Sequence, residues 1–125
     1  MDIILLNTAD QPIYQQIKMQ MATQILSGAL PQGKKLPSIR GLAKELKISV
    51  ITTKRAYEEL ENEGFIDTVP GKGSFVSARD QTQLKNQHIK EIQAKLIEII
   101  EEGKQYDMTL EQIIHLVKKI YTRGN

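Results

Sequence analysis

The punctuation between residues 36 and 77 constrains this chain more than any other feature of its sequence. Leu36-Pro37 forces an extended entry, because the residue before a proline avoids the helical region. Ser38 then suits the cap of a short helix whose apolar positions are Ile39, Leu42, Ala43 and Leu46. Lys47-Ile48 breaks that pattern. Ser49 caps a further helix running to about Glu63, with Thr53, Ala56, Tyr57 and Leu60 facing inward, and Gly64 is the natural residue to end it. Two β-prone runs follow, Phe65 to Val69 and Ser74 to Ser77, so Pro70-Gly71-Lys72-Gly73 is predicted as the four-residue loop of a hairpin.

Upstream, Asp10-Gln11-Pro12 is a helix-entry signal, with Asp as cap and Pro in the first turn. Ile13, Ile17, Met21 and Ile25 recur every four residues, widened by Met19, Ala22 and Leu26, which predicts an amphipathic helix ended by Gly28. Leu30-Pro31-Gln32-Gly33 is a turn-rich connector. The short apolar run Ile3 to Leu6 fits either an edge strand beside the hairpin or a contact with a partner chain. Downstream, Asp80 to Asn86 is polar, and Ile89, Ile92, Leu96, Ile99 and Ile100 then mark a long helix expected to stop at Gly103. Thr109 and Gln112 have the spacing of a capping box, opening a last helix striped by Leu110, Ile113, Ile114, Val117, Ile120 and Tyr121.

Composition removes several function classes. A chain of 125 residues with 40% hydrophobic and 26% charged content suits one small domain plus an appendage, not a disordered tract. No stretch approaches the roughly 20 apolar residues of a membrane span, so no membrane partner is expected. The absence of Cys removes disulfides, thiol catalysis and Cys-type zinc sites, and a cytoplasmic location is the simplest reading. His88 and His115 are the only histidines and have no further His or Cys to complete a metal site. His115 borders the apolar stripe and reads as a packing or solvent-edge residue. The carboxylates Glu58, Glu59, Glu61 and Glu63 read as a solvated helix face. With no nucleophile, base and orienting acid in sight, neither an enzyme nor a cofactor is expected.

The net charge of +2 conceals a steep distribution. Between Lys34 and Arg55 seven bases (Lys34, Lys35, Arg40, Lys44, Lys47, Lys54, Arg55) face the single acid Glu45, and from Glu58 to Asp67 five acids face no base. Helix, tight turn, second helix and hairpin is the order of a winged helix-turn-helix. In that arrangement the first helix of the pair braces the second, whose N-terminal residues meet the major groove while the hairpin reaches neighbouring backbone or minor groove. The basic excess falls on the parts that would face phosphate, a layout that orients a domain on DNA during approach.

These residues also carry a family resemblance. Leu36 to Ala43, Ile48-Ser49, Ala56 to Ile66 and Gly71 to Val76, preceded by Pro12 to Ile17 and the Gly28 to Gly33 turn, resemble the GntR family of bacterial transcription regulators over about residues 10 to 78. The remaining 47 residues have room for two helices, as in the YtrA-type subfamily. The resemblance implies that Arg40 contacts DNA from the start of the second helix. It implies that Ser49, Val50, Ile51, Thr52 and Lys54 meet the groove and that Gly71 and Lys72 form the wing tip. Many members carry an Arg where Val50 stands. An Arg can bond guanine at two points, whereas Val50 and Ile51 offer apolar contact, for instance to thymine methyls. The same two side chains would be silent if buried against the preceding helix.

Lys34, Lys35 and Lys44 are expected as phosphate contacts. Arg55, turned about 100° further round its helix than Lys54, fits either a phosphate or a pair with Glu58 or Glu59. Gly71-Lys72-Gly73 has neither the spacing nor the hydroxyl of a P-loop. The tail offers about eleven large apolar side chains, more than a lone two-helix hairpin covers. Ile92, Leu96, Ile99, Leu110, Ile113, Ile114, Val117, Ile120 and Tyr121 are therefore expected to form a dimer interface, the alternative being packing on the chain's own winged domain. The expected architecture is mainly α with a small β-wing: a winged helix-turn-helix over 1–78 (helix-turn-helix about 38–63, wing 65–77), then a two-helix dimerisation tail over 79–125. The expected function is a sequence-specific DNA-binding transcription regulator, a homodimeric repressor on a palindromic operator. A winged-helix module for protein assembly is the rival, and whether a small-molecule effector binds is left open.

Overall fold

The computed structural model describes residues 1–7 and 10–123. Its order is α1 (Ile13–Ser27), α2 (Ile39–Leu46), α3 (Val50–Asn62), β1 (Ile66–Val69), β2 (Gly73–Val76), α4 (Gln81–Gln105) and α5 (Leu110–Thr122). The chain divides into two compact units, Met1–Lys85 and Asn86–Asn125.

In the first unit the two serines act as their spacing suggests. The Ser38 hydroxyl accepts the Gly41 N–H at 2.9 Å, and the Ser49 hydroxyl accepts the Thr52 N–H at 3.0 Å. Lys47, at φ 58, takes the left-handed position between α2 and α3, and the Ile48 N–H returns to the Ala43 carbonyl at 3.0 Å. Gly64 repeats the device after α3 at φ 86, and the Phe65 N–H reaches the Leu60 carbonyl at 2.9 Å. These stops fix the path that lets Ile17, Met21 and Ile25 of α1, Leu42 of α2, and Ala56, Tyr57 and Leu60 of α3 share one core with Leu36, Ile66 and Val76. The inward set expected for α3, including fully buried Thr53, is the observed one.

β1 and β2 pair antiparallel with Val69 opposite Gly73. The loop is therefore the three residues Pro70, Gly71 and Lys72, one fewer than the sequence suggested, because Gly73 at φ 119 already belongs to the ladder. A further segment lies against β2: Lys35 bridges Phe75, and the Leu36 N–H donates to the Ser74 carbonyl at 2.8 Å.

Two sequence expectations for helix starts are corrected, and of the two readings of Ile3 to Leu6 the edge strand is set aside. Pro12, not Asp10, is the N-cap of α1, and no side chain caps there. The segment Ile3 to Leu6 forms no strand. It is an extended strap along α1, held by glutamines four residues apart: Gln16 bonds the Leu6 N–H and carbonyl at 2.9 and 3.0 Å, Gln20 those of Ile4 at 2.8 and 2.6 Å, and Gln24 the Asp2 carbonyl at 2.7 Å. Ile3 and Leu5 pack against the core from this strap. Finally, α4 opens at Gln81 within the polar stretch, because the Asp80 carboxylate accepts the Thr82 N–H at 2.8 Å and Leu84 is buried in the first unit's core.

In the second unit α4 passes through Gly103 rather than stopping there. The left-handed position falls instead on Asp107, at φ 61, and the Met108 N–H closes back on the Gly103 carbonyl at 3.1 Å. A Cβ on Gly103 would meet Met108 Sδ at 3.4 Å, an ordinary contact distance, so the position lies under the turn without requiring glycine. Thr109 and Gln112 form the expected reciprocal capping box at the start of α5.

Candidate nucleic-acid interface

The site is built on the tight turn between α2 and α3 and on the wing. Arg40 projects from the first turn of α2 and is exposed. Val50 and Ile51, the first two residues of α3, are 41% and 81% exposed, so neither is buried against the preceding helix. Ser49 and Thr52 are bound to each other, the Ser49 hydroxyl donating to Thr52 Oγ1 at 2.7 Å. Gly71, at φ 76, and Lys72 form the exposed tip of the wing.

The bases of this unit fall into two sets. The side chains of Arg40, Lys34, Lys35, Lys44 and Lys72 are exposed and make no ion pair or hydrogen bond among the described residues. Lys54 is close to this set, with its ammonium 3.8 Å from Glu58 and largely in water. Lys18 and Arg55 are engaged by the fold. Lys18 reaches Glu59 at 3.1 Å and Glu63 at 2.6 Å, tying α1 to α3. Arg55 pairs with Glu59 at 3.2 Å and lies 3.8 Å above the Tyr14 ring. Of its two sequence alternatives, the pair with its own helix is present in the free protein, on a side chain that stays 60% exposed.

Burial opposes the charge on Lys18, but its hydrogen bonds to Glu63 and Glu59 outweigh that and raise its pKa above the ordinary value. Glu59 is held below the usual carboxylate range, chiefly by Lys18 and, against partial burial, by Arg55 as well. Tyr57 is raised by burial, then by nearby Glu45, and donates its hydroxyl to the Pro37 carbonyl at 2.7 Å. That bond fixes the extended entry to α2 on the middle of α3, bracing one helix against the other. Sequence reasoning did not find Tyr14 as the platform beneath Arg55, nor Glu59 as the shared acceptor. A helical stripe shows that Tyr14 flanks the core but not which cation crosses it.

Residues 13–76 match the family described as bacterial regulatory proteins, gntR family. The chain belongs to that family. Among its relatives, the HTH-type transcriptional repressor YtrA of Bacillus subtilis (strain 168) is 36% identical over 109 residues, covering 87% of this chain and 84% of that protein. A solved structure of a transcriptional antiterminator from Listeria monocytogenes EGD-e matches 98% of this chain and 91% of its own, at 29% identity and a TM-score of 0.72. YtrA from Sulfolobus acidocaldarius, a GntR-family transcription factor, matches 100% of this chain and 99% of its own at 29% identity and a TM-score of 0.56. As a GntR-family protein this chain is a DNA-binding transcription regulator and not an enzyme, and the assembly-module reading is not supported. No helix among the described residues is long and apolar enough to cross a membrane.

Proposed function

We propose that this GntR regulator is a homodimeric repressor that binds the two halves of a palindromic operator in the cytoplasm. The observation that carries the DNA-facing part is the division of the bases. Those the fold needs are paired, whereas Arg40, Lys34, Lys35, Lys44 and Lys72 are free for phosphate or base edges. In this reading the lysines supply affinity. Arg40, Val50, Ile51, Thr52 and Lys54 supply discrimination, and the wing tip at Gly71-Lys72 enters the neighbouring groove. Arg55 adds long-range attraction rather than a direct contact.

The dimer rests on the tail. Every residue of α5 except the half-buried Ile113 is exposed, and Leu96, Ile99, Ile100, Met108, Ile113 and Ile120 are among those lining a hollow of about 220 Å³. A second hairpin related by a two-fold axis would fill that hollow and cover Ile92, Leu110, Ile114, Val117 and Tyr121 together. It would also set the spacing of the two winged domains on the operator.

Fluorescence anisotropy with duplex DNA over a range of salt tests the DNA-facing part. The expected result is affinity falling steeply with salt, and Arg40→Ala weakening specific binding by about 1–3 kcal/mol while leaving non-specific binding nearly unchanged. Weak, salt-insensitive association would overturn it.

A further inference from the structure

We infer that Ile51, with Val50 beside it, reads the 5-methyl group of thymine in the major groove. The inference rests on the DNA-binding reading above and specifies which base the start of the recognition helix selects.

Folding does not explain Ile51, and it covers Val50 only in part. No large aliphatic residue among those described is more exposed than Ile51 at 81%, so it gains little from packing. β-Branched residues are also mediocre helix formers, and this helix opens with two of them. Both occupy the first turn, the part of a recognition helix that approaches base edges.

The neighbouring polar groups leave that tip as hydrocarbon. The Ser49 hydroxyl is taken up by the Thr52 N–H and by Thr52 Oγ1, and the buried Thr53 hydroxyl donates to the Ser49 carbonyl at 3.1 Å. Lys54 lies three residues beyond Ile51 and four beyond Val50, on the same helix face. The outward surface of the turn is thus two branched alkyl groups backed by one ammonium.

Base chemistry then decides among partners. In the major groove guanine shows two acceptors, cytosine an amino donor and adenine an acceptor with a donor, while thymine alone adds a methyl group. Pressing Ile51 against guanine O6 and N7, or against cytosine N4, strips water from polar atoms and returns no hydrogen bond. Against a thymine methyl, hydrocarbon covers hydrocarbon. Each half-site should therefore carry at least one thymine that Ile51 or Val50 contacts through its methyl.

The test uses the full chain and duplexes enriched by it from a random library. Each thymine of the enriched half-site is replaced in turn by deoxyuridine, which differs only in lacking the methyl, and dissociation constants are measured by anisotropy. One or two positions per half-site should weaken binding by about fourfold per methyl removed, the factor expected for one buried methyl-sized group. Ile51→Ala should bind the thymine duplex more weakly, with the wild-type salt dependence, and lose its sensitivity to uracil at the same position. Val50→Ala maps the second position. Uracil tolerated throughout the half-site, or sensitivity unchanged in both variants, overturns the inference while salt-dependent binding leaves the DNA-binding reading standing. Failure to enrich any duplex overturns both.

Discussion

The winged unit and the tail unit are built by the same local rules and end in opposite states. Both use side-chain caps at helix starts and left-handed residues at helix stops, Lys47 and Gly64 in one and Asp107 in the other. Yet every buried residue among those described lies in the winged unit. Its helices converge from three directions on Ile17, Leu42 and Leu60, and the wing closes the edge with Ile66 and Val76. The tail has two helices to offer, and two helices have one face each to share. Leu96, Leu116, Val117 and Ile120 therefore remain 44–50% exposed. Local structure costs the chain little at either end, whereas a core requires a third partner, which the tail does not find within its own unit.

Tail variants give the largest expected change. Replacing Ile113 and Val117 together by Lys should convert the proposed dimer to monomer. Two large apolar side chains at about 1.5–3 kcal/mol each correspond to at least about a hundredfold in association. Sedimentation velocity across a concentration series reads this directly, and an unchanged dimer would place the interface elsewhere. The winged unit should respond to Leu60→Ala, which opens a cavity beneath α3, by losing about 2–5 kcal/mol in urea denaturation. That loss should come without a change in oligomeric state. A dissociated Leu60→Ala protein would mean that the two units are not energetically separate.

The smallest effect is electrostatic and confined to the winged unit. Glu59 has a folded pKa below its ordinary 4.5, so its ionised form contributes stability that is present above about that pH. That contribution disappears as pH falls through the lowered value. Lys18 runs the other way: raised above 10.5, it contributes below that pH and the contribution is lost as pH rises through the raised value. Lys18→Met should therefore flatten both the acid and the alkaline limbs of melting temperature against pH, with little change in association. Retention of the wild-type acid limb would assign it to other carboxylates.

Much of the candidate site is legible in the sequence, because it is written in local signals. Ser38, Ser49 and Gly64 bound the two central helices, and the spacing of Thr53, Ala56, Tyr57 and Leu60 sets which side of α3 is left for Val50, Ile51 and Lys54. Local signals also misled. Gly103 was expected to stop α4, since glycine is the commonest helix terminator. In the fold α4 runs through it, and Asp107 takes the left-handed turn instead. The loop length of the wing was overestimated by one because composition does not record where a ladder's last pair falls.

The sequence by itself determined the order of elements, the apolar faces and the stretch of chain on which the positive charge gathers. Each of these depends on residues within a turn or two of one another. The tertiary structure alone decided that Glu59 serves both Lys18 and Arg55, that Tyr14 lies under Arg55, that three glutamines hold the N-terminal strap and that Lys35 bridges the wing at Phe75. These are contacts between distant segments whose side chains carry no periodic signature. Which cations are paired and which stay unpaired follows from where the chain crosses itself, not from how it is spelled.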